Sequence, residues 1–300
     1  EIGVRLVGSE MCIRDRDKDA HFIPTDTVYV TIDKEAVRKS GMMMASDSIP
    51  NRMVISLKGK NALYKGDLMM LEMIAQSNWV RPIYVASTVG QENYMNLGDN
   101  FVQEGLANRI TPFTTNAPGA KNFDTQKTYN NVMNRYKYGG LSRKGIYIDE
   151  TVMRMCYTHR RIIAQLALHL ISEGDKQKAN KVLQKADKEL PAYNIPYNYM
   201  NGGLDIARAY ALLGQTAKAK EVANAVWTNA QQYLNWYLTL DGSRFANSMN
   251  DCMYQIYVLR QAASVMGMAD KQTAAQQEKK LNMLFKQYQE KGGAMPMGDE

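Results

Sequence analysis

Few side chains in this sequence are spaced for covalent chemistry. The histidines are His21, His159 and His169, and none has the cysteine, histidine or carboxylate neighbours of a zinc site. No Gly-x-Ser-x-Gly elbow and no His-Glu-x-x-His helix occurs, so serine and zinc hydrolysis have no support. Gly59-Lys60 has the end of a phosphate-binding loop, but Asn61 stands where Ser or Thr belongs and the upstream Gly is missing. Asp149-Glu150 offers two carboxylates, yet adjacent residues diverge on a helix, and the pair suits the positive end of a helix dipole. Cys12, Cys156 and Cys252 are too few and too scattered for a disulfide framework. We therefore expect no catalytic residue, no cofactor and no metal site.

Recognition chemistry has better candidates. Trp79 can stack on a ring and Arg81 can fork to a carboxylate or phosphate, with Tyr84, Glu104 and Arg109 close by in sequence. The competing structural reading has Trp79 closing a helix-to-strand turn, Arg81 bridging to Glu104 and Pro82 opening a strand. From Lys121 to Arg161, nine Lys/Arg oppose only Asp124, Asp149 and Glu150, with tyrosines interleaved. Such a stretch faces anionic lipid, a polyphosphate carrier or nucleic acid, or is a solvated linker. No nucleic-acid-binding module accompanies it, so nucleic acid is not expected as a partner. Tyr193, Tyr197 and Tyr199, with Pro196, place rings on one edge as a partner-binding surface, unless they pack inward on Trp227, Trp236 and Tyr237.

The elements that must position these residues change period midway. Val28, Val30 and Ile32 alternate with polar neighbours as in a half-buried strand, and Met53–Leu57 reads as a second. A helix capped by Asp67, burying Leu68, Leu71 and Ala75 beside Met69 and Met73, leads to a strand at Ile83–Val85, which is βαβ spacing with a right-handed crossover. Residues 91–106 read as a further helix and 109–113 as strand or loop. Beyond the basic stretch the pattern is helical and repeats at an offset of 40: Ala167, Gly174, Lys178, Ala179 and Val182 recur as Ala207, Gly214, Lys218, Ala219 and Val222. This resembles tetratricopeptide repeats, with a degenerate third pair over 244–266 and 270–288. The expected class is α+β and α-rich: a small α/β unit with a βαβ element (17–118), a basic connector (119–147), antiparallel helical hairpins (148–290) and a tail (291–300). Met42 to Met44 and Met69-Met70 read as core filler. Residues 1–16 resemble translated sequencing adapter and are set aside; a chain opening at Glu1 rather than Met implies a missing upstream portion. The most apolar run, 162–171, is too short to span a bilayer.

Asn78 through Ala86 (NWVRPIYVA), followed by Glu104-Gly105-Leu106 and Arg109 through Pro112, resembles the soluble C-terminal region of a bacterial multi-pass membrane family. That family is described as protein O-mannosyltransferase-like and carries a domain of unknown function; the resemblance runs from about 20 to 240. It implies membrane spans and an acidic catalytic loop upstream. This chain is then a non-catalytic scaffold region of a glycosyltransferase-like protein, with the parent in the inner membrane and this part on the periplasmic side. Its implied partners are the upstream transmembrane region and an acceptor protein or other partner on the repeats. The alternative is an independent α/β enzyme acting on a phosphorylated or sugar substrate at the sheet edge near Ala86.

Overall fold

The computed structural model describes residues 25–42, 49–60, 62–115 and 122–293, and the chain divides into two units, Glu1–Thr128 and Tyr129–Glu300. The expectations placed on 1–24, Met43, Met44, Asn61, 119–121 and 294–300 lie outside the described residues.

In the first unit, β1 (Thr27–Thr31) pairs antiparallel with β2 (Arg52–Ser56). The pleat sends Val28, Val30, Met53 and Ile55 into the core and leaves Tyr29 and its cross-strand partner Val54 outside. Between the strands, α1 (Lys34–Lys39) is capped by Asp33, whose carboxylate accepts from the Glu35 and Ala36 N–H groups, and it buries Val37. The next helix, α2 (Lys65–Gln76), buries Leu71 and Ile74, while Leu68, Met69 and Met73, expected on or beside the inner face, are exposed. Asp67 is not its cap. It stands one turn inside, accepting from the Tyr64 N–H and Lys60 Nζ, each at 3.0 Å.

The expected βαβ element is not formed. The strands β3 (Tyr84–Ala86), β4 (Phe101–Gln103) and β5 (Ala107–Ile110) make a separate sheet in the order β3-β5-β4, antiparallel throughout, so β2 and β3 never meet. The reason lies at the end of α2. Asn78 and Trp79 both take positive φ, 43° and 60°, a pair of left-handed residues that redirects the chain and buries the Trp79 indole. The helix expected over 91–106 fails for a related reason. Met95 and Asn96 also have positive φ, which breaks the segment into two 3₁₀ turns, Gln91–Asn93 and Leu97–Asn100, before β4.

A helix α3 (Thr125–Asn130) ends in a π-helical turn at Asn131–Arg135. The segment read as a solvated connector is therefore structured. Within the second unit Val132 and Tyr138 are buried, and Tyr136 and Tyr138 meet the His159 ring edge-on at 5.4 and 5.2 Å.

The remaining chain forms helical hairpins: α4 (Glu150–Ser172) with α5 (Lys176–Glu189), and α6 (Gly203–Leu212) with α7 (Thr216–Leu238). After a short α8 (Gly242–Asn247) comes a third pair, α9 (Met249–Ala269) with α10 (Lys271–Glu290). The helix-rich α+β class is as expected. The 40-residue offset extends to the hydrogen bonds of the turns. The Asp175 N–H reaches the Leu170 carbonyl at 2.8 Å, and the Gln215 N–H reaches Tyr210 at 2.9 Å. Gly174 donates to Ile171 and Gly214 to Ala211, both at 3.0 Å, with φ of 86° and 76° that favour glycine. The inner faces match as well: Ala179, Val182, Leu183 and Ala186 are buried, as are Ala219, Val222, Ala223 and Val226. Asp149 caps α4 through the Val152 N–H, the helix-start role expected for Asp149-Glu150.

His159 Nδ1 is buried with no hydrogen-bond partner, and burial holds the imidazole below its ordinary 6.5. A depressed folded-state value means that the unfolded chain binds the proton first, so stability falls as pH drops below about 6.5. His169 shifts in the same direction, also through burial. Melting temperature should thus fall between pH 7.5 and 5.5, and His159→Phe should reduce that fall; an equal fall in the variant would remove His159 as a source of acid sensitivity.

Candidate binding groove of the helical hairpins

One buried cation organises the second unit. Arg160 belongs to the apolar stripe of α4, between Cys156 and Ile163, and its side chain is fully buried. Among the described residues no carboxylate pairs with it directly. Its guanidinium instead donates to the backbone carbonyls of Leu190 at 2.6 Å, Ile195 at 2.7 Å and Pro196 at 3.4 Å. The Tyr197 ring covers the guanidinium, 4.4 Å from carbon to centroid. Arg160 therefore ties α4 to the loop between the first and second hairpins. In the sequence it is one of the nine basic residues of 121–161, with nothing beyond its helical spacing to mark it as buried.

The loop is also braced internally. Asn198 and Asn201 exchange hydrogen bonds, each N–H to the other's side-chain oxygen at 3.2 and 3.0 Å, and Asn201 Nδ2 reaches the Pro196 carbonyl at 2.7 Å. At Gly203 the chain leaves no room for a side chain: a Cβ would stand 2.7 Å from Val226 Cγ2 and 2.8 Å from the Asn198 oxygen.

This loop and helices α5 to α7 line a groove of about 410 Å³. On its floor, Asp187 accepts from the Tyr210 hydroxyl at 2.8 Å and the Tyr197 hydroxyl at 3.4 Å, and pairs with Lys218. Burial first, and then Asp187, pushes both phenols up, Tyr197 to about 12, so they act as neutral donors. Glu221 lies at the rim as an exposed carboxylate without an ion pair among the described residues. Tyr193, about half exposed, forms part of the wall. A carboxylate rim, an aromatic wall and a hydroxyl floor suit noncovalent capture of a cationic side chain more than bond breaking.

The other sequence candidates separate into two places. Tyr84, Glu104 and Arg109 do come together in the first unit, where Tyr84 and Arg109 are cross-strand partners. Glu104 accepts from the Tyr84 hydroxyl at 2.8 Å and pairs with Arg109 at 3.1 Å and Lys127 at 3.0 Å. Glu104 and Arg109 are buried, and the expected Arg81 bridge to Glu104 is taken by these two cations, with Arg81 left exposed. Trp79 is core. Of the tyrosine edge, Tyr197 is buried on Arg160, and Tyr199 meets Tyr254 and Tyr257 edge-on at 5.9 Å each, rather than Trp227, Trp236 or Tyr237. Only Tyr193 keeps a half-open ring. Asp187, Tyr210 and Glu221 carried no sequence signal and Lys218 stood out only as a repeat position, so the one available sign of the site was a cation inside an apolar helical stripe at Arg160.

No group of three or more His, Cys, Asp or Glu is placed to hold a metal among the described residues. Ala86 ends an edge strand, β3, of the antiparallel sheet β3-β5-β4.

Arg160→Met should destabilise the chain by about 3–5 kcal/mol, because the buried Leu190 and Ile195 carbonyls lose their donor, while Pro196 keeps Asn201. Arg160→Lys should restore little, since an ammonium cannot fork to three acceptors across one plane. Urea unfolding measures both, and a loss under about 1 kcal/mol for Arg160→Met would show that the loop holds without the cation.

Residues 7–132 match the family model described as TMEM260-associated domain 2; the first of these, 7–16, lie in the stretch set aside as foreign. No curated protein and no solved structure matches the chain. The family match is consistent with an O-mannosyltransferase-like protein and ties this region to a glycosyltransferase-like membrane protein.

Proposed function

We propose that the chain is a non-catalytic module of a membrane glycosyltransferase-like protein, and that its hairpins hold an acceptor protein or partner in the groove beside Tyr193 and Glu221. The carrying observation is that groove: a built floor of Asp187, Tyr197 and Tyr210 beneath an exposed carboxylate without an ion pair among the described residues and a half-exposed Tyr193 ring that already carries one cation, Lys144. It suits an extended segment presenting a Lys or Arg, whose cation meets Glu221 while its stem lies on Tyr193. The family match over 7–132 supports the membrane-protein context. No helix among the described residues is long and apolar enough to cross a membrane, so in this reading the spans and the transfer chemistry come from the upstream region of the same protein. The parent then lies in the bacterial inner membrane, with this region on the periplasmic side. The tetratricopeptide-like character of the hairpins fits the same role, since stacked helix pairs present extended partner surfaces.

Peptides selected by display on the purified chain should be enriched in Lys or Arg. Glu221→Lys should weaken them by on the order of tenfold without shifting the melting temperature appreciably, and Tyr193→Ala should act in the same direction while also giving up the hydrogen bond to Ser142. Binding unchanged in both variants would remove the groove as the recognition surface. The purified chain should also turn over no lipid-linked sugar, and turnover would contradict a non-catalytic role.

A further inference from the structure

A second surface in the same unit carries a different chemistry. From Tyr129 to Ile148 the chain holds Arg135, Lys137, Arg143 and Lys144 and no carboxylate. All four cations are exposed, and none makes an ion pair among the described residues. Their outward placement is built into the fold. Tyr136 and Tyr138 turn inward onto His159, which sends Arg135 and Lys137 out in alternation.

The loop that follows is held by its carbonyls. Asn194 Nδ2 donates to the Leu141 and Arg143 oxygens, both at 2.7 Å, and the Tyr193 hydroxyl donates to Ser142. With the backbone anchored inward, Arg143 and Lys144 remain outside, Lys144 lying over the Tyr193 ring at 5.6 Å. Directly beyond them Tyr147 is 91% exposed, and Val152 and Met155 at the start of α4 are also exposed.

We propose that this segment docks on an anionic phospholipid bilayer, with the four cations at the headgroups and Tyr147 entering the interface. A cluster of unpaired cations alone would suit any polyanion. The adjoining ring, whose apolar surface is left in water, selects a bilayer, because Tyr gains from an interface with one apolar side and one wet side. The surface adjoins the groove at Tyr193, over which Lys144 lies, but its test substitutes none of the groove residues, so failure here leaves the peptide-binding proposal standing.

Sedimentation of the whole chain with vesicles tests it. Vesicles of phosphatidylcholine with a quarter phosphatidylglycerol should bind the chain, and vesicles of phosphatidylcholine alone should not, with binding falling as salt rises. Neutralising Arg135 and Lys137 together to Gln should weaken binding by about 25-fold, at about fivefold per cation. Arg143→Gln with Lys144→Gln should do the same, so the result does not depend on one local fold. Tyr147→Ser should weaken binding several-fold without changing its salt dependence. Equal sedimentation with both vesicle types, or none, overturns the proposal. So does equally tight binding to soluble inorganic polyphosphate or RNA that Tyr147→Ser leaves unchanged, which would assign the patch to a dissolved polyanion.

Discussion

A guanidinium without a carboxylate partner, sealed inside the helical unit, sets the terms for everything around it. Desolvating a charge costs several kcal/mol, and here the compensation is three carbonyl oxygens and a ring face, all from one short stretch of chain. The two terminal nitrogens of Arg160 are paired only if Leu190, Ile195 and Pro196 present their oxygens together, which fixes the shape of the loop even though Nε keeps no partner among the described residues. That shape puts Tyr197 between Arg160 and Asp187, and Asp187 in turn gathers Tyr210 and Lys218 from the following hairpin. The groove is thus a consequence of neutralising one buried cation. The same loop presents Tyr193 and Asn194 to the carbonyls of 141–143, which fixes the basic loop as well.

The first unit follows a comparable logic with a buried anion. Glu104 sits beyond the end of β4, in the turn toward β5, and is neutralised by Arg109 and Lys127 while Tyr84 donates to its second oxygen. Tyr84, Arg109 and Glu104 come from separate parts of the antiparallel sheet, so the pairing fixes register as much as charge. Three residues that read as recognition candidates are therefore occupied with one another. The left-handed pair Asn78 and Trp79 completes this unit by turning the chain after α2 and lodging the indole in the core.

The parts legible in the sequence were those governed by local period. Alternation at 28–32 and the 40-residue offset in the helices are each enforced by burial of one face, and both appear in the structure down to the turn hydrogen bonds. The illegible parts depended on non-glycine residues with positive φ. Asn78 and Asn96 are of a type that tolerates that conformation, but Trp79 and Met95 beside them are not, and the two pairs converted an expected parallel crossover and a helix into antiparallel strands and 3₁₀ turns. The groove was hidden for another reason. Its members come from α5, α6, α7 and the intervening loop, and Lys178 and Lys218, identical in the repeat, have different partners: Asp175 one turn away, and Asp187 on another helix. Sequence spacing reports helix faces; it does not report which side chains of neighbouring hairpins converge.

That Arg160 imposes a fixed conformation on the inter-hairpin loop is the claim on which the rest stands, and amide hydrogen exchange across 191–203 in the intact chain tests it most directly. The account predicts that the Ile195, Asn198, Asn201 and Gly203 amides, each hydrogen-bonded in the structure, exchange as slowly as those of the flanking helices, with protection of about a thousandfold or more. Exchange of these amides at the rate of an unstructured loop, beside protected α5 and α6, would contradict it.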